Sequence, residues 1–105
     1  MSLQEFKEIQ PIIKRIVEGY APQKIFLFGS RAWGTPTVDS DYDFVIIKKG
    51  KKNFFTEAYK VRRLINGQIA ADILIYTPRE FEDRAKEGDL FLQEIIKNGK
   101  CLYEK

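Results

Sequence analysis

The sequence contains no histidine and only one cysteine, Cys101, in 105 residues. A single cysteine cannot form an intrachain disulfide, so the composition is typical of a protein from a reducing compartment. The absence of histidine and the single cysteine also leave too few nitrogen and sulfur ligands for a zinc site. Any bound metal should therefore be a hard cation held by oxygen atoms.

Long apolar runs are also missing. None approaches the ~20 residues that a membrane-spanning helix needs, and the first residues include Glu5 and Glu8 rather than the apolar core of a signal peptide. We therefore expect a cytoplasmic protein with no membrane association. With 44% hydrophobic and 31% charged residues, we expect one folded domain over residues 1–105. The net charge of +3 is too small to indicate a nucleic-acid partner.

Apolar residues at three- and four-residue steps predict a first helix from Leu3 to Tyr20. Pro11 predicts that this helix either kinks or properly starts near Gln10. The alternation of helices and strands along the chain predicts an α/β (α+β) fold with helices packed on a small sheet. Further helices are predicted over 54–65, 78–88 and 90–96, and strands over 24–28, 42–48, 69–76 and, at an edge, 100–103.

Carboxylates occur where apolar strands are predicted. Asp41 and Asp43 directly precede an apolar run, and because residues i and i+2 share a strand face, they should lie ~6–7 Å apart and repel by ~2–3 kcal/mol. Asp72 interrupts the apolar segment 69–75, which predicts a buried, central strand. Burial of an uncompensated carboxylate costs several kcal/mol. Mg²⁺ would offset all three charges.

Simpler interpretations of these residues exist. An Asp-x-Asp pair is most often a pair of solvated loop acids, a Gly-Ser pair after a strand is usually a turn, and Asp72 could instead pair with an arginine. Gly29 to Gly34 has the spacing of a P-loop, but Thr35-Pro36 follows where Lys and Ser or Thr are required. The P-loop interpretation therefore fails.

A calcium loop starting with Asp39, Asp41 and Asp43 is a second alternative. Such a loop needs Gly at its sixth position and Glu at its twelfth. Phe44 and Gly50 occupy these positions, so the calcium-loop interpretation also fails.

The combined pattern is more specific than its parts. Phe28 precedes Gly29-Ser30, ten residues intervene before Asp41-Tyr42-Asp43, and Asp72 follows in a later apolar segment. This pattern resembles the minimal nucleotidyltransferases of the DNA polymerase beta-like superfamily, over nearly the whole chain. The resemblance implies a small mixed β-sheet flanked by helices. Many relatives carry Arg where Trp33 stands, so a phosphate-binding role is not transferred to that position.

The resemblance also implies a chemistry, the transfer of a nucleoside monophosphate from a triphosphate. Gly29 and Ser30 would bind the phosphates, with Arg31 either an additional phosphate contact or a solvated cation. Asp41, Asp43 and Asp72 would hold Mg²⁺, with two ions expected, and Asp72 would assist deprotonation of the attacking hydroxyl.

The minimal members of this superfamily form two-protein modules with a helical HEPN-type toxin. The resemblance implies that AMP from ATP is transferred to a tyrosine of such a partner, with this chain acting as the antitoxin. Two alternatives are a non-catalytic antitoxin that acts by binding alone and a transferase for a small hydroxylated molecule. A second copy of the chain could also complete the site.

Overall fold

The structure, a computed structural model, describes residues 1–37 and 40–105. Five helices and four strands follow one another along these residues. In chain order they are α1 (Leu3–Tyr20), β1 (Lys24–Phe28), α2 (Ser30–Trp33), β2 (Tyr42–Ile47), α3 (Phe54–Ile65), β3 (Ala71–Tyr76), α4 (Pro78–Lys86), α5 (Leu90–Asn98) and β4 (Lys100–Glu104). Asp39, which the calcium-loop interpretation required, lies outside the described residues.

The four strands form one mixed sheet in the order β3-β2-β1-β4. β1 runs antiparallel to both β2 and β4, whereas β2 and β3 are parallel. The parallel pair is possible because α3 carries the chain back across the sheet between the two strands. The predicted α/β fold with a small mixed sheet is confirmed.

The core lies on both faces of the sheet. Alternate residues of β2 point to opposite faces, so Phe44 and Ile46 belong to the cluster under α1 and α3, and Val45 and Ile47 to the cluster under α4 and α5. All four side chains are buried. Each buried apolar side chain of this size stabilises the fold by ~1.5–3 kcal/mol, so the helices on both faces fix β2 firmly at the centre.

The first helix begins at Leu3 and passes through Pro11 without interruption, so the predicted start near Gln10 is wrong. A capping box explains the early start: the Ser2 hydroxyl accepts from the Glu5 amide at 3.1 Å, and the Glu5 carboxylate accepts from the Ser2 amide at 3.1 Å. Pro11 is exposed, so water can replace the backbone hydrogen bond that proline cannot donate.

The third strand is an edge strand, not the central strand that its apolar composition predicted. It begins at Ala71 rather than Ile69, and Asp72 is exposed rather than buried. Its apolar character arises because helices cover both faces farther along: Ile73 and Ile75 are buried on one face, and Leu74 and Tyr76 are partly buried on the other. The predicted edge strand near the C-terminus is confirmed as β4. Within the described parts of the chain, no helix is long and apolar enough to cross a bilayer.

Candidate active site

Two of the predicted acidic residues lie side by side on neighbouring strands. The parallel register of β2 and β3 pairs Asp43 directly with Asp72. Neighbouring strands are about 4.8 Å apart, and paired residues point to the same face of the sheet. Although 28 residues separate them in the sequence, the two carboxylates are therefore neighbours. Their side chains extend from the end of the sheet where both strands begin.

The surroundings of Asp43 disfavour its negative charge. Burial raises the pKa of the Asp43 carboxyl, and the adjacent Asp72 raises it further through its charge and through a hydrogen bond, with a smaller contribution from the charge of Asp41. Among the described residues, no lysine or arginine forms an ion pair with Asp43 or Asp72. The pair thus has excess negative charge that an added cation would neutralise.

The glycine that follows β1 is in contact with this pair. The antiparallel register places Phe28 opposite Asp43, so Gly29 comes next to the Asp43 carboxylate. Gly29 has φ +75° and ψ −159°, a conformation essentially restricted to glycine. A Cβ atom at this position would overlap with Oδ2 of Asp43. The Gly-Ser turn and the acidic strand therefore form one compact site.

The turn continues into α2, a single helical turn. The amides of Ala32 and Trp33 donate to the Gly29 carbonyl at 2.9 and 3.1 Å, and the amide of Gly34 donates to the Ser30 carbonyl at 2.9 Å. The N–H groups of Ser30 and Arg31 lie in the first turn and have no intrahelical acceptor. A helix of four residues has little macrodipole. An anion at this turn would therefore be bound by these two N–H groups.

The third predicted acid does not complete a three-carboxylate cluster. Asp41 is exposed and precedes the first residue of β2. Within residues 1–37 and 40–105, no three acidic, cysteine or histidine side chains lie close enough together to hold a metal ion. The structure thus brings together Asp43 and Asp72, and the charge of Asp41 contributes to the raised pKa of Asp43.

The carboxylate pair nevertheless fits one magnesium ion. Mg²⁺ is commonly held by one or two protein carboxylates, with water and substrate phosphates completing its octahedral shell. Asp43 and Asp72 supply adjacent oxygen ligands, and burial together with the charge of Asp72 raises the pKa of Asp43. Among the described residues, Asp43 and Asp72 are the ones that could hold such an ion, and the two ions expected from the sequence stay a prediction.

Arg31 occupies a different place from the one its sequence position suggested. Its guanidinium lies 4.2 Å from the centre of the Tyr42 ring, on the α1 side of the sheet, whereas Asp43 points to the other side. It donates to the carbonyls of Ser40 at 2.9 Å and Thr37 at 3.3 Å. These contacts occupy the guanidinium, so Arg31 is neither a solvated cation nor directed at the carboxylate pair.

The ion pair of Arg31 with Glu5 was not anticipated from the sequence. The two charged groups are 3.3 Å apart, with 12% and 22% of their side chains exposed. The contact ties α1 to the segment that leads into β2. Since the partners are 26 positions apart in the sequence, no local pattern could have revealed it.

Comparison with known families identifies the fold. The sequence profile of the family "Polymerase beta, Nucleotidyltransferase" matches residues 10–105. The chain belongs to this nucleotidyltransferase family. The predicted resemblance to minimal nucleotidyltransferases is therefore confirmed at the level of the family. A search of curated proteins gives no significant match.

Solved structures of similar fold agree with this membership of the nucleotidyltransferase family. A candidate nucleotidyltransferase from Sulfolobus solfataricus is 22% identical, with a TM-score of 0.64 over 98% of this chain and 83% of that one. A toxin–antitoxin structure with AMP-PNP is 20% identical, with a TM-score of 0.60 over 95% of this chain and 73% of that one. At these identities the likeness concerns the fold.

Proposed function

We propose that this nucleotidyltransferase family member transfers AMP from ATP to an acceptor hydroxyl, with Asp43 and Asp72 at the reacting phosphate. The observation that carries the proposal is the contact between the carboxylate pair and the Gly29-Ser30 turn. One side of this site attracts cations, and the other offers amide hydrogens to anions. A metal-bound triphosphate combines both requirements in one ligand.

The turn and the three acids would have different roles in the transfer. The turn amides near Ser30 bind the phosphate oxygens and orient the triphosphate. Asp43, half-buried and fixed by its contact with Gly29, anchors the metal together with Asp72, and Asp41 adds negative charge nearby. Mg²⁺, when bound, would neutralise the charge that develops on the phosphates and on the departing pyrophosphate.

The transfer forms a bond between the acceptor oxygen and the α-phosphorus and breaks the bond from the α-phosphorus to the oxygen that leaves with pyrophosphate. In this proposal the proton of the acceptor hydroxyl passes to Asp72. The edge position of β3 supports this role, because Asp72 is exposed and an acceptor can approach it from solvent. Positioning of the acceptor hydroxyl close to the α-phosphorus would also accelerate the transfer.

The acceptor that we propose is a tyrosine of a HEPN-type helical toxin, for which this chain is the antitoxin. Two observations support this role. A toxin–antitoxin structure with a similar fold was solved with AMP-PNP, an ATP analogue. The exposed Asp72 lies on an open sheet edge that a folded protein could reach.

The test is to incubate the protein with α-labelled ATP, Mg²⁺ and the helical protein encoded beside it. We expect label on that protein and its loss when its acceptor tyrosine is changed to phenylalanine. Asp43→Asn should abolish transfer, whereas Asp83→Asn, an exposed acid on α4, should not. Label on a small hydroxylated molecule or an RNA, with none on the neighbour, would contradict the proposed acceptor while keeping the transferase.

A non-catalytic antitoxin with the same fold is the second candidate, and the position of Asp41 outside the carboxylate pair is the observation that favours it. The two candidates differ in what Asp43→Asn does to toxin neutralisation in cells. Catalysis predicts loss of protection, whereas neutralisation by binding alone predicts full protection by the variant.

A further inference from the structure

Basic residues are concentrated in one segment of the chain. Residues 48–63 contain seven of the 18 basic residues and one of the 15 acidic residues, so the remainder is net negative, with 11 basic and 14 acidic residues. The single acid, Glu57, is 7% exposed and accepts hydrogen bonds from Tyr20 at 2.7 Å and Lys60 at 3.1 Å. Its charge is therefore not presented to solvent.

Part of this charge forms a stripe on the outer side of α3. The stripe consists of Phe55, Tyr59, Arg62 and Arg63, which are all exposed and recur at three- and four-residue steps along α3. Together with the exposed Lys52, two residues before the helix begins, it is here called the basic-aromatic face. Two other lysines of the segment are engaged elsewhere. Lys48 donates to the Tyr20 carbonyl at 2.6 Å, and Lys51 pairs with Glu80 at 3.1 Å.

Two aromatic rings stand among these cations. Phe55 is 81% exposed and Tyr59 is 61% exposed. By contrast, Val61 and Ile65 on the opposite side of α3 are buried. The rings are one helical turn apart, or about 6 Å. The guanidinium of Arg63 lies 5.9 Å from the centre of the Tyr59 ring. Such exposure of apolar surface is a sign of a binding site.

We propose that the basic-aromatic face binds single-stranded nucleic acid. Proteins bind single strands by pairing phosphates with lysine and arginine and by stacking bases on exposed aromatic rings. Phe55 and Tyr59 are spaced to receive two successive bases, while Lys52, Arg62 and Arg63 neutralise the phosphates. An acidic peptide would use the cations but gain little from the rings, and a duplex keeps its bases stacked within itself.

One end of the basic-aromatic face contacts the backbone at the start of β3. Arg62 donates to the carbonyl of Ala71 at 3.0 Å, and Ala71 precedes Asp72. The affinity for a single strand does not depend on the proposed transfer chemistry, because none of the residues of this face belongs to that site.

The test is fluorescence anisotropy with a labelled 12-nucleotide single strand, without triphosphate or divalent cations. We expect the single strand to bind more tightly than a duplex of the same length or a 12-residue polyglutamate peptide. Stacking contributes ~1–3 kcal/mol per base, so Phe55→Ala or Tyr59→Ala should each weaken binding about fivefold to 150-fold. Arg62→Ser/Arg63→Ser should reduce the slope of log affinity against log salt by about 0.7 for each phosphate that is no longer neutralised.

Matched controls come from another surface of the molecule. Leu90 is 80% exposed and Lys97 is exposed, both on α5, so Leu90→Ala and Lys97→Ser should leave binding unchanged. Equal affinity for polyglutamate, with no loss in the ring variants, would assign the face to an acidic protein and overturn the proposal. Absence of binding to the single strand at low salt would overturn it as well.

Discussion

At residue 29 a single methyl group would disturb both the backbone and the candidate site. We expect Gly29→Ala to lower the free energy of unfolding by about 2–5 kcal/mol, because alanine is strained at φ +75° and its Cβ overlaps with the Asp43 carboxylate. Gly50 is the matched control, since it has φ +78° but nothing within 4 Å of its Cβ position. Gly50→Ala should cost only about 1–2 kcal/mol.

Urea denaturation of the two alanine variants measures this difference. An equal loss of stability in both would show that the contact of residue 29 with Asp43 contributes nothing beyond backbone strain.

The raised pKa of Asp43 predicts a specific pH dependence in the absence of divalent cations. The pKa of Asp43 is higher in the folded protein than in the unfolded chain, where it is ~3.9. The stability that protonated Asp43 contributes is therefore fully present below pH ~3.9 and is lost as the pH rises through the folded-state pKa. Asp43→Asn does not undergo this change. The variant should therefore gain stability relative to the parent protein as the pH rises from 4 towards 7.

Chemical denaturation of both proteins across this pH range measures the contribution of Asp43 together with its coupling to Asp72, since the carboxylates outside this pair are the same. Saturating Mg²⁺ should reverse the order by stabilising the parent protein. A difference in stability that does not change with pH would contradict the assigned cause of the pKa shift.

At the scale of elements, the connection between α1 and the entrance to β2 depends on Arg31. Arg31→Lys keeps the charge but removes the planar fork that reaches Glu5 and two backbone carbonyls. We expect a loss of about 1–2 kcal/mol of stability and a lower kcat with little change in the KM for ATP, because the residue positions the strand rather than the phosphates.

Steady-state kinetics together with denaturation test this role of Arg31. A KM for ATP that rises severalfold with kcat unchanged would instead identify Arg31 as the phosphate contact suggested by the sequence. Glu5→Gln serves as a second variant, because it weakens the same connection from α1 and cannot touch phosphate.

The elements themselves follow from local sequence. The apolar spacing and the Asn66-Gly67 stop predict α3 with its correct bounds, because the periodicity of a helix and its end are set by neighbouring residues. The position of a strand within the sheet depends on distant pairing instead. The apolar composition of β3 predicts a central strand, but β3 lies at the edge. Its residues are apolar because helices cover both of its faces, which does not require a neighbouring strand on each side.

The same division holds for the candidate site at the scale of the whole molecule. The sequence motif groups the Gly-Ser turn with Asp43 and Asp72, and the registers of β1, β2 and β3 place these residues next to one another. Two features could not be read from the sequence. The exposure of Asp72 depends on sheet order, and the engagement of Arg31 depends on Glu5 in another helix.

Charge is also distributed on the scale of the whole molecule. The net charge of +3 conceals a basic segment and an acidic remainder, so the mean value does not indicate a nucleic-acid partner. The stripe on α3 becomes visible only when helical geometry separates the exposed cations from the buried Glu57.

In the proposed function, the carboxylate pair and the Gly29-Ser30 turn together bind a metal-bound triphosphate. Calorimetric titration with AMP-PNP and Mg²⁺ tests it without any acceptor. We expect binding by the parent protein and by Asp83→Asn, binding at least tenfold weaker in Asp43→Asn, and loss of binding when Mg²⁺ is chelated. Equal affinity in Asp43→Asn, or affinity that does not depend on Mg²⁺, would contradict the claim.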